Sequence, residues 1–181
     1  VDLSLLIFRI AVLEDLPEIV EMLRDDDLGS QSETSSGSIE KYLNAFQDIS
    51  ANNTHELTVV DFQGEIVGTL HLTFIQYLTY QGGMRAQIES VRVKSTYRRT
   101  GVGTTMMNYA IGRSRSKGAH LVQLTTDKKR SSAIEFYRRL GFTDSHVGIW
   151  VRCRQITRPS GQCGPKRYVQ VVVYICLLYT S

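Results

Sequence analysis

The stretch IESVRVKSTYRRTGVGTTMM, residues 88–107, places an apolar, branched run before two arginines, two spaced glycines and a segment with helical spacing. Residues 88–93 have the composition of a strand, and Val102, Met106 and Ala110 recur on one face of a helix. Glycine lets backbone N–H groups approach an oxyanion closely, and the start of a helix adds partial positive charge. The stretch therefore predicts a strand–loop–helix site for a diphosphate.

The predicted anion site consists of the loop and the first turn of the helix. Its residues are Arg98, Arg99, Thr100, Gly101, Val102, Gly103 and Thr104. The two arginines bring cations to the backbone donors. The pattern lacks the Gly-Lys-Ser/Thr of a P-loop, and Met106 stands where a dinucleotide fingerprint needs a third glycine. A tight turn without a ligand and a mononucleotide site stay open as alternatives.

The charge of the chain is unevenly distributed. The formal net charge is +3, yet residues 151–181 hold five basic and no acidic residues, which leaves −2 for residues 1–150. Because a nucleic-acid site needs a basic face on the folded body, we expect no nucleic-acid partner. We recognise no signal peptide and no apolar run that could cross a bilayer, so we expect a cytoplasmic protein without a membrane partner.

Cysteine and histidine usage argues against a metal centre. All three cysteines lie beyond residue 152, which leaves residues 1–152 without a thiolate ligand. The histidines lie far apart in sequence, and we expect each to be structural or exposed. They are His55, His71, His120 and His146.

Hydrophobic periodicity along residues 7–151 predicts elements in the order β-α-α-β-β-β-α-β-α-β. The dipeptide Gln63-Gly64 joins two strand-like runs as a hairpin, and Gly118 and Gly141 are expected to end helices. Ser131 or Ser132 is expected to cap the last helix. This order predicts an α/β (α+β) fold with a mixed, mostly antiparallel sheet flanked by helices.

Residues 153–181 break this periodicity. They hold two of the three prolines, and their last six residues, CLLYTS, are what the end of a transposon-based sequencing adapter would encode. We interpret residues 153–181 as a tail of read-through or adapter origin, and we predict no element in it that pairs with anything upstream. Residues 7–152 then form a single domain.

The motif RRTGVG, residues 98–103, is similar to the [QR]-x-x-G-x-[GA] acetyl-CoA motif of the GNAT superfamily of N-acetyltransferases. IESVRV before it and AIEFYRRLGF, residues 133–142, after it stand at the spacing of that family, and the chain resembles a bacterial branch whose substrates are mostly unassigned. The resemblance implies a sheet splayed between its fourth and fifth strands. It also implies that backbone amides of residues 99–104 hold the diphosphate of acetyl-CoA, while pantetheine pairs along Val91 and Val93.

Glu89 is the candidate base that accepts the proton of the acceptor amine, directly or through water. By strand alternation we expect it to share a face with Val91 and Val93, and Arg92 to point the other way. Relatives often carry an acid here. A surface glutamate paired with a polar neighbour is the alternative. The oxyanion donor is expected to be a backbone N–H near Val91 or Arg92.

Tyr137 corresponds to the tyrosine with which relatives protonate the thiolate of coenzyme A, and a core aromatic is the alternative. Lys128, Lys129 and Arg130 meet the 3′-phosphate or form a solvated loop. Arg130 stands where many relatives have an asparagine that contacts the cofactor, so this chain departs from the family pattern at that contact. The resemblance implies acetyl transfer to a primary amine of a small molecule or peptide by direct attack in a ternary complex. A non-catalytic acyl-CoA-binding regulatory module is the alternative, and a homodimer stays open.

Overall fold

The computed structural model describes residues 1–25, 39–149 and 171–178. The strands in these ranges are β1 (Leu6–Ile10), β2 (His55–Phe62), β3 (Glu65–Gln76), β4 (Met84–Val93), β5 (Leu121–Thr126), β6 (Thr143–Ile149) and β7 (Val171–Leu178). The helices of nine or more residues are α1 (Leu16–Arg24), α2 (Ile39–Ala51), α3 (Val102–Ser116) and α4 (Ser131–Arg139).

The described residues belong to two compact units, one within Val1–Gln123 that also includes Leu178, and one within Leu124–Leu177. In the first unit the strand order is β1-β2-β3-β4-β5, antiparallel up to β4, with β5 parallel to β4. In the second unit the order is β5-β7-β6. The mixed, mostly antiparallel sheet predicted from the sequence is confirmed, whereas the opening between β4 and β5 stays a prediction.

The hairpin between β2 and β3 follows from two residues with left-handed backbone. Gln63 has a φ of 56° and Gly64 a φ of 86°, the pair of positive values that a two-residue hairpin turn needs. A glycine with left-handed backbone also ends each of α3 and α4: Gly118 has a φ of 83° and Gly141 a φ of 89°. These turn and stop predictions are confirmed.

Helices cover both faces of the β2–β3–β4 sheet. On one face α1 and α2 bury Ile19, Val20 and Phe46 against Val59. On the other face α3 buries Met106, whose sulfur would lie 2.7 Å from a Cβ at Gly68. The helix that follows the anion loop is therefore anchored at van der Waals contact with the sheet.

Two local predictions were wrong. The N-cap of α4 is Arg130, and no serine side chain caps the helix. In the tail, β7 pairs antiparallel with β6, so part of it does pair with an upstream strand. The origin of residues 153–181 and the end of the domain stay predictions, and Ser38, the expected cap of α2, lies outside the described residues.

Candidate functional site

Strand β4 contains a bulge where the sequence places the candidate base. His71 of β3 pairs with Glu89, and two residues along β3, Thr69 pairs with Arg92. Two residues of β4, Ser90 and the one after it, therefore lie opposite a single residue of β3. Ser90 has a φ of 52°, a left-handed conformation that is costly for a residue with a side chain. Such a bulge interrupts the ladder and turns peptide groups away from it.

The bulge changes which side chains share a face of β4. Because their partners on β3 are two residues apart, Glu89 and Arg92 lie on the same face, whereas Val93 pairs with Gly68 on the other. The prediction that Glu89 shares a face with Val93, and that Arg92 points the opposite way, was wrong. It assumed an unbroken period of two, and one extra residue reverses every side chain after it.

Glu89 is exposed, and buried polar groups lie beside it on the same face. Gln123 of β5 donates from Nε2 to Oε1 of Gln87 at 2.6 Å, and both side chains are buried. This bond joins β4 to β5 two residues before the candidate base. Since a buried amide pair holds its strands at a fixed separation, it fixes the position of Glu89 at the start of the bulge.

Two histidines form a pair on this face, which sequence reasoning missed. Nδ1 of His55 and Nε2 of His71 lie 2.9 Å apart, and the Thr73 hydroxyl lies 3.3 Å from the same Nδ1. Burial, and secondarily His55, lowers the pKa of His71 to about 4. Sixteen residues separate the two histidines in sequence, so only the register of β2 on β3 reveals the pair.

The backbone of the anion loop has two left-handed residues, Arg99 with a φ of 65° and Gly101 with a φ of 96°. Gly101 is the N-cap of α3 and has no side-chain cap. The first helical hydrogen bond runs from the Thr105 N–H to the Gly101 carbonyl at 3.1 Å. The amides of the three residues between them belong to the first turn, whose donors a helix leaves for a ligand.

The side chains of Arg98 and Thr100 in the loop form hydrogen bonds to other parts of the protein. Arg98 donates from Nη2 to the backbone oxygen and Oδ2 of Asp25 at 2.8 and 2.9 Å, and from Nε to the Val93 carbonyl at 3.1 Å. The Thr100 hydroxyl donates to the Tyr97 carbonyl at 2.7 Å. In this structure Arg98 thus joins the loop to the end of α1, and both Arg98 and Arg99 are exposed.

Backbone N–H groups, rather than side chains, are what the anion site predicted from the sequence has at Val102, Gly103 and Thr104. The side chain of Val102 is fully buried, which anchors the start of α3 in the core. Upstream, Glu65 accepts from Lys94 Nζ at 2.6 Å and from the Tyr97 hydroxyl at 2.7 Å. These hydrogen bonds, with that of Lys94 the stronger, lower the pKa of Glu65. The turn between β4 and the loop is therefore fixed by an ion pair to β3.

Tyr137 lies on α4 in the second unit, half-buried between other aromatic rings. Its ring centroid is 5.3 Å from that of Phe136 and 6.0 Å from that of Phe142. Lys128 and Lys129 are exposed just before the helix, and Arg130 is half-buried. Their predicted roles stay predictions.

In the parts of the chain that the structure describes, no group of three or more histidine, cysteine, aspartate or glutamate side chains could hold a metal ion. Among the same residues no helix is long and apolar enough to cross a membrane.

Comparison with known proteins matches residues 16–142 to a family model described as the acetyltransferase (GNAT) family. A crystal structure of a transcriptional regulator from Bacillus halodurans C-125 is 43% identical, with a TM-score of 0.78. That similarity covers 82% of this chain and 99% of the other.

Two curated relatives are similar over shorter segments. An aminoalkylphosphonate N-acetyltransferase of Salmonella typhimurium is 31% identical over 83 residues, 46% of this chain and 53% of that protein. An uncharacterized N-acetyltransferase of Methanocaldococcus jannaschii is 37% identical over 62 residues, 34% of this chain and 27% of that protein. The chain thus matches about half the length of one curated relative and about a quarter of the other.

Proposed function

Because the chain belongs to the GNAT family of acetyltransferases, we propose that it transfers an acetyl group from acetyl-CoA to a primary amine. The acceptor is a small molecule or a peptide, and the amine attacks the thioester directly in a ternary complex. The relative from Salmonella typhimurium, named for aminoalkylphosphonates, supports small amines with an anionic group as part of the acceptor range.

The observation that carries the proposal is the run from the bulge in β4 to the first turn of α3. It joins an exposed carboxylate at Glu89, an interrupted ladder at Ser90, and a loop with left-handed residues that ends at Gly101. The uncapped helix start supplies amide donors and positive potential for a diphosphate. A splayed edge at Val91 and Val93 would give the amides of pantetheine hydrogen-bond partners.

The chemistry needs a base, an oxyanion donor and an acid. Glu89 takes a proton from the acceptor ammonium and yields a neutral amine. A backbone N–H at the bulge, near Val91 or Arg92, stabilises the oxyanion that forms when nitrogen attacks the acetyl carbon. Tyr137 gives a proton to the departing sulfur, since a phenol with a pKa near 10 can donate to a thiolate.

A non-catalytic, acyl-CoA-binding regulator is the second candidate. One observation favours it, which is the 43% identity to the protein from Bacillus halodurans that is named a transcriptional regulator. Both candidates bind acetyl-CoA, but only the enzyme releases free thiol when an amine is present.

The test is a thiol-release assay with acetyl-CoA against a panel of amines. The panel holds simple amines, amino acids, aminoglycosides, peptide N-termini and 2-aminoethylphosphonate. If the protein is an acetyltransferase, at least one acceptor should raise the rate of thiol release above that of acetyl-CoA hydrolysis. Binding of acetyl-CoA without release from any acceptor would instead support the regulator.

Tyr137→Phe separates the acid role from packing. Loss of a general acid is expected to lower kcat roughly 100-fold and to leave the Kd for acetyl-CoA unchanged. Tyr109→Phe is the matched control, because that ring stacks on Phe8 at 4.4 Å and lies outside the proposed machinery. Equal losses of turnover and affinity in Tyr137→Phe would remove Tyr137 from the mechanism.

A further inference from the structure

A row of titratable side chains crosses three strands on the face that carries the candidate base. His71 of β3 lies directly opposite Glu89 of β4, and a ring nitrogen of His71 lies 2.9 Å from one of His55 on β2. A directly opposite pair on neighbouring antiparallel strands has Cβ atoms about 4.5–5.5 Å apart. One water molecule is therefore enough to join the Glu89 carboxylate to the His71 ring.

The contact between the two imidazoles has a direction. Two ring nitrogens at 2.9 Å share a single hydrogen, so one ring donates and the other accepts. When Nε2 of His71 donates to Nδ1 of His55, Nδ1 of His71 is left as an acceptor for a proton that arrives from Glu89. A neutral imidazole can accept on one nitrogen while it donates from the other.

The surroundings keep His71 neutral. Burial first, and then the neighbouring His55, holds its pKa at about 4. The helices packed on this face present apolar side chains such as Ile19, Val20 and Phe46. Charged groups that share this face are Arg85 and Glu89 of β4, Arg92 past the bulge, and Arg9 of β1, which lies opposite Val59. His71 therefore passes a proton on rather than storing it.

We infer that His55 and His71 form a relay that carries the amine proton from Glu89 to solvent. The inference rests on the proposed acetyl transfer. In that reaction a C–N bond forms and the C–S bond breaks, and the ammonium nitrogen loses two protons. One proton ends on the sulfur of coenzyme A, and the other must leave the site.

The leaving proton follows the row of side chains. It moves from the amine to the Glu89 carboxylate and through water to Nδ1 of His71. The proton on Nε2 of His71 moves to Nδ1 of His55, and His55 gives the proton on its Nε2 to water. Each ring then loses its Nδ1 proton to water and gains a proton on Nε2 from water, which restores the starting tautomers. His71 and His55 act through Glu89, so they are positioning residues rather than catalytic ones.

The kinetic test compares His71→Gln and His55→Gln with wild type over a range of pH. Acetyl-CoA and the amine of the panel with the highest wild-type turnover are the substrates. Removing one member of an acid–base chain is expected to lower kcat about 10-fold near neutral pH, with KM for acetyl-CoA unchanged. The loss should vanish above the pKa of the free amine, because a neutral amine needs no base.

His146→Gln is the matched control, since it makes the same change at an exposed histidine of β6. It should leave kcat at the wild-type value at every pH. An equal loss in His71→Gln at every pH would show a structural role, and no loss would remove the relay. If wild type releases no thiol with any amine, the proposed function fails first, and that result is distinct from an active enzyme with a pH-independent variant.

A second measurement needs no acceptor. Nitrogen-15 NMR of the imidazole rings should find His71 neutral, with its proton on Nε2, from mildly acidic to mildly basic pH. Glu89→Gln should shift the resonance of His71 Nδ1 and leave that of His120 in place. An unchanged His71 resonance in Glu89→Gln would contradict the link between the carboxylate and the pair.

Discussion

Glu89 and Arg92 lie on the same face of β4 although they are three residues apart, because the bulge at the left-handed Ser90 adds one residue between them. Without that residue the strand would keep its period of two, and a residue three positions away would face the opposite side. The bulge thus does two things at one place. It interrupts the ladder to β3, and it brings a carboxylate and a guanidinium to a common surface.

The backbone of Ser90 can be tested by substitution. Glycine tolerates positive φ, so Ser90→Gly should leave the free energy of unfolding within about 0.5 kcal/mol of wild type or raise it. Valine is β-branched, and Ser90→Val should lower the free energy of unfolding by about 1–2 kcal/mol. Urea denaturation measures both. In a regular strand valine would stabilise, so a stabilising Ser90→Val would contradict the bulge.

Gly101 and Gly112 form a matched pair of glycines at the start and in the middle of α3. Gly101 has a φ of 96°, and Gly101→Ala should lower the free energy of unfolding by about 1–2 kcal/mol and weaken binding of coenzyme A. A methyl group at Gly112 would meet no atom within 4 Å beyond the backbone of its own helix, so Gly112→Ala should raise the free energy of unfolding by about 0.5–1 kcal/mol. Thermal unfolding and calorimetry measure these effects, and equal shifts for both would contradict the left-handed cap.

Glu56 connects β2 to α3 through a buried carboxylate. It accepts from Arg113 Nε and Nη2 at 2.8 and 2.7 Å, and lies 3.1 Å from Lys117 Nζ. Glu56→Gln should lower the free energy of unfolding by about 1–2 kcal/mol, because both cations are partly exposed and solvent moderates the loss. Asp144→Asn breaks an exposed pair with Arg138 and should lower the free energy of unfolding by less than Glu56→Gln does. A larger loss at Asp144 would contradict this ranking.

The free energy of unfolding should depend on pH in a way that reveals that His71 is neutral in the folded chain. Its pKa is about 4 in the folded chain, chiefly because of burial, against an ordinary value of 6.5. As pH falls from 6.5 to 4, the unfolded chain binds the proton first, so the free energy of unfolding decreases over that interval. His71→Gln should flatten this part of the profile in urea denaturation. An unchanged slope in the variant would mean that His71 is not held neutral.

The carboxylates contribute at lower pH. Burial alone would raise the pKa of Glu56, but the hydrogen bonds from Arg113 and Lys117 outweigh it and lower the pKa below its ordinary 4.5. The hydrogen bond from Arg9 is the main cause of the lowered pKa of Asp15, whose ordinary value is 3.8. Both contributions are present above these values and disappear as pH falls further, so the slope between pH 6.5 and about 5 reports on His71.

Local rules were enough for the parts of the fold that depend on neighbours in sequence. The Gln63-Gly64 hairpin, the helix stop at Gly118 and the buried face of α3 follow from backbone preference and hydrophobic period. The bulge could not be read in the same way, because Ser90 carries no sequence signal for a left-handed conformation, unlike glycine.

Parts of the site depend on register, which no single stretch encodes. His55 and His71 meet only because β2 and β3 pair as they do, and Arg98 meets Asp25 across 73 residues of sequence. The pairing of β7 with β6 is likewise a long-range contact that composition did not predict. Backbone donors at Gly101 were predictable, because glycine spacing before a helix signals them directly.

The central claim is that backbone N–H groups at the start of α3 bind the diphosphate of coenzyme A. Isothermal titration calorimetry of the folded protein with coenzyme A, acetyl-CoA and ATP tests it most directly. We expect saturable binding of both coenzyme A species, weaker binding to Gly101→Ala, and unchanged binding to Gly112→Ala. No heat with coenzyme A or acetyl-CoA, or equal binding to both glycine variants, would contradict the account.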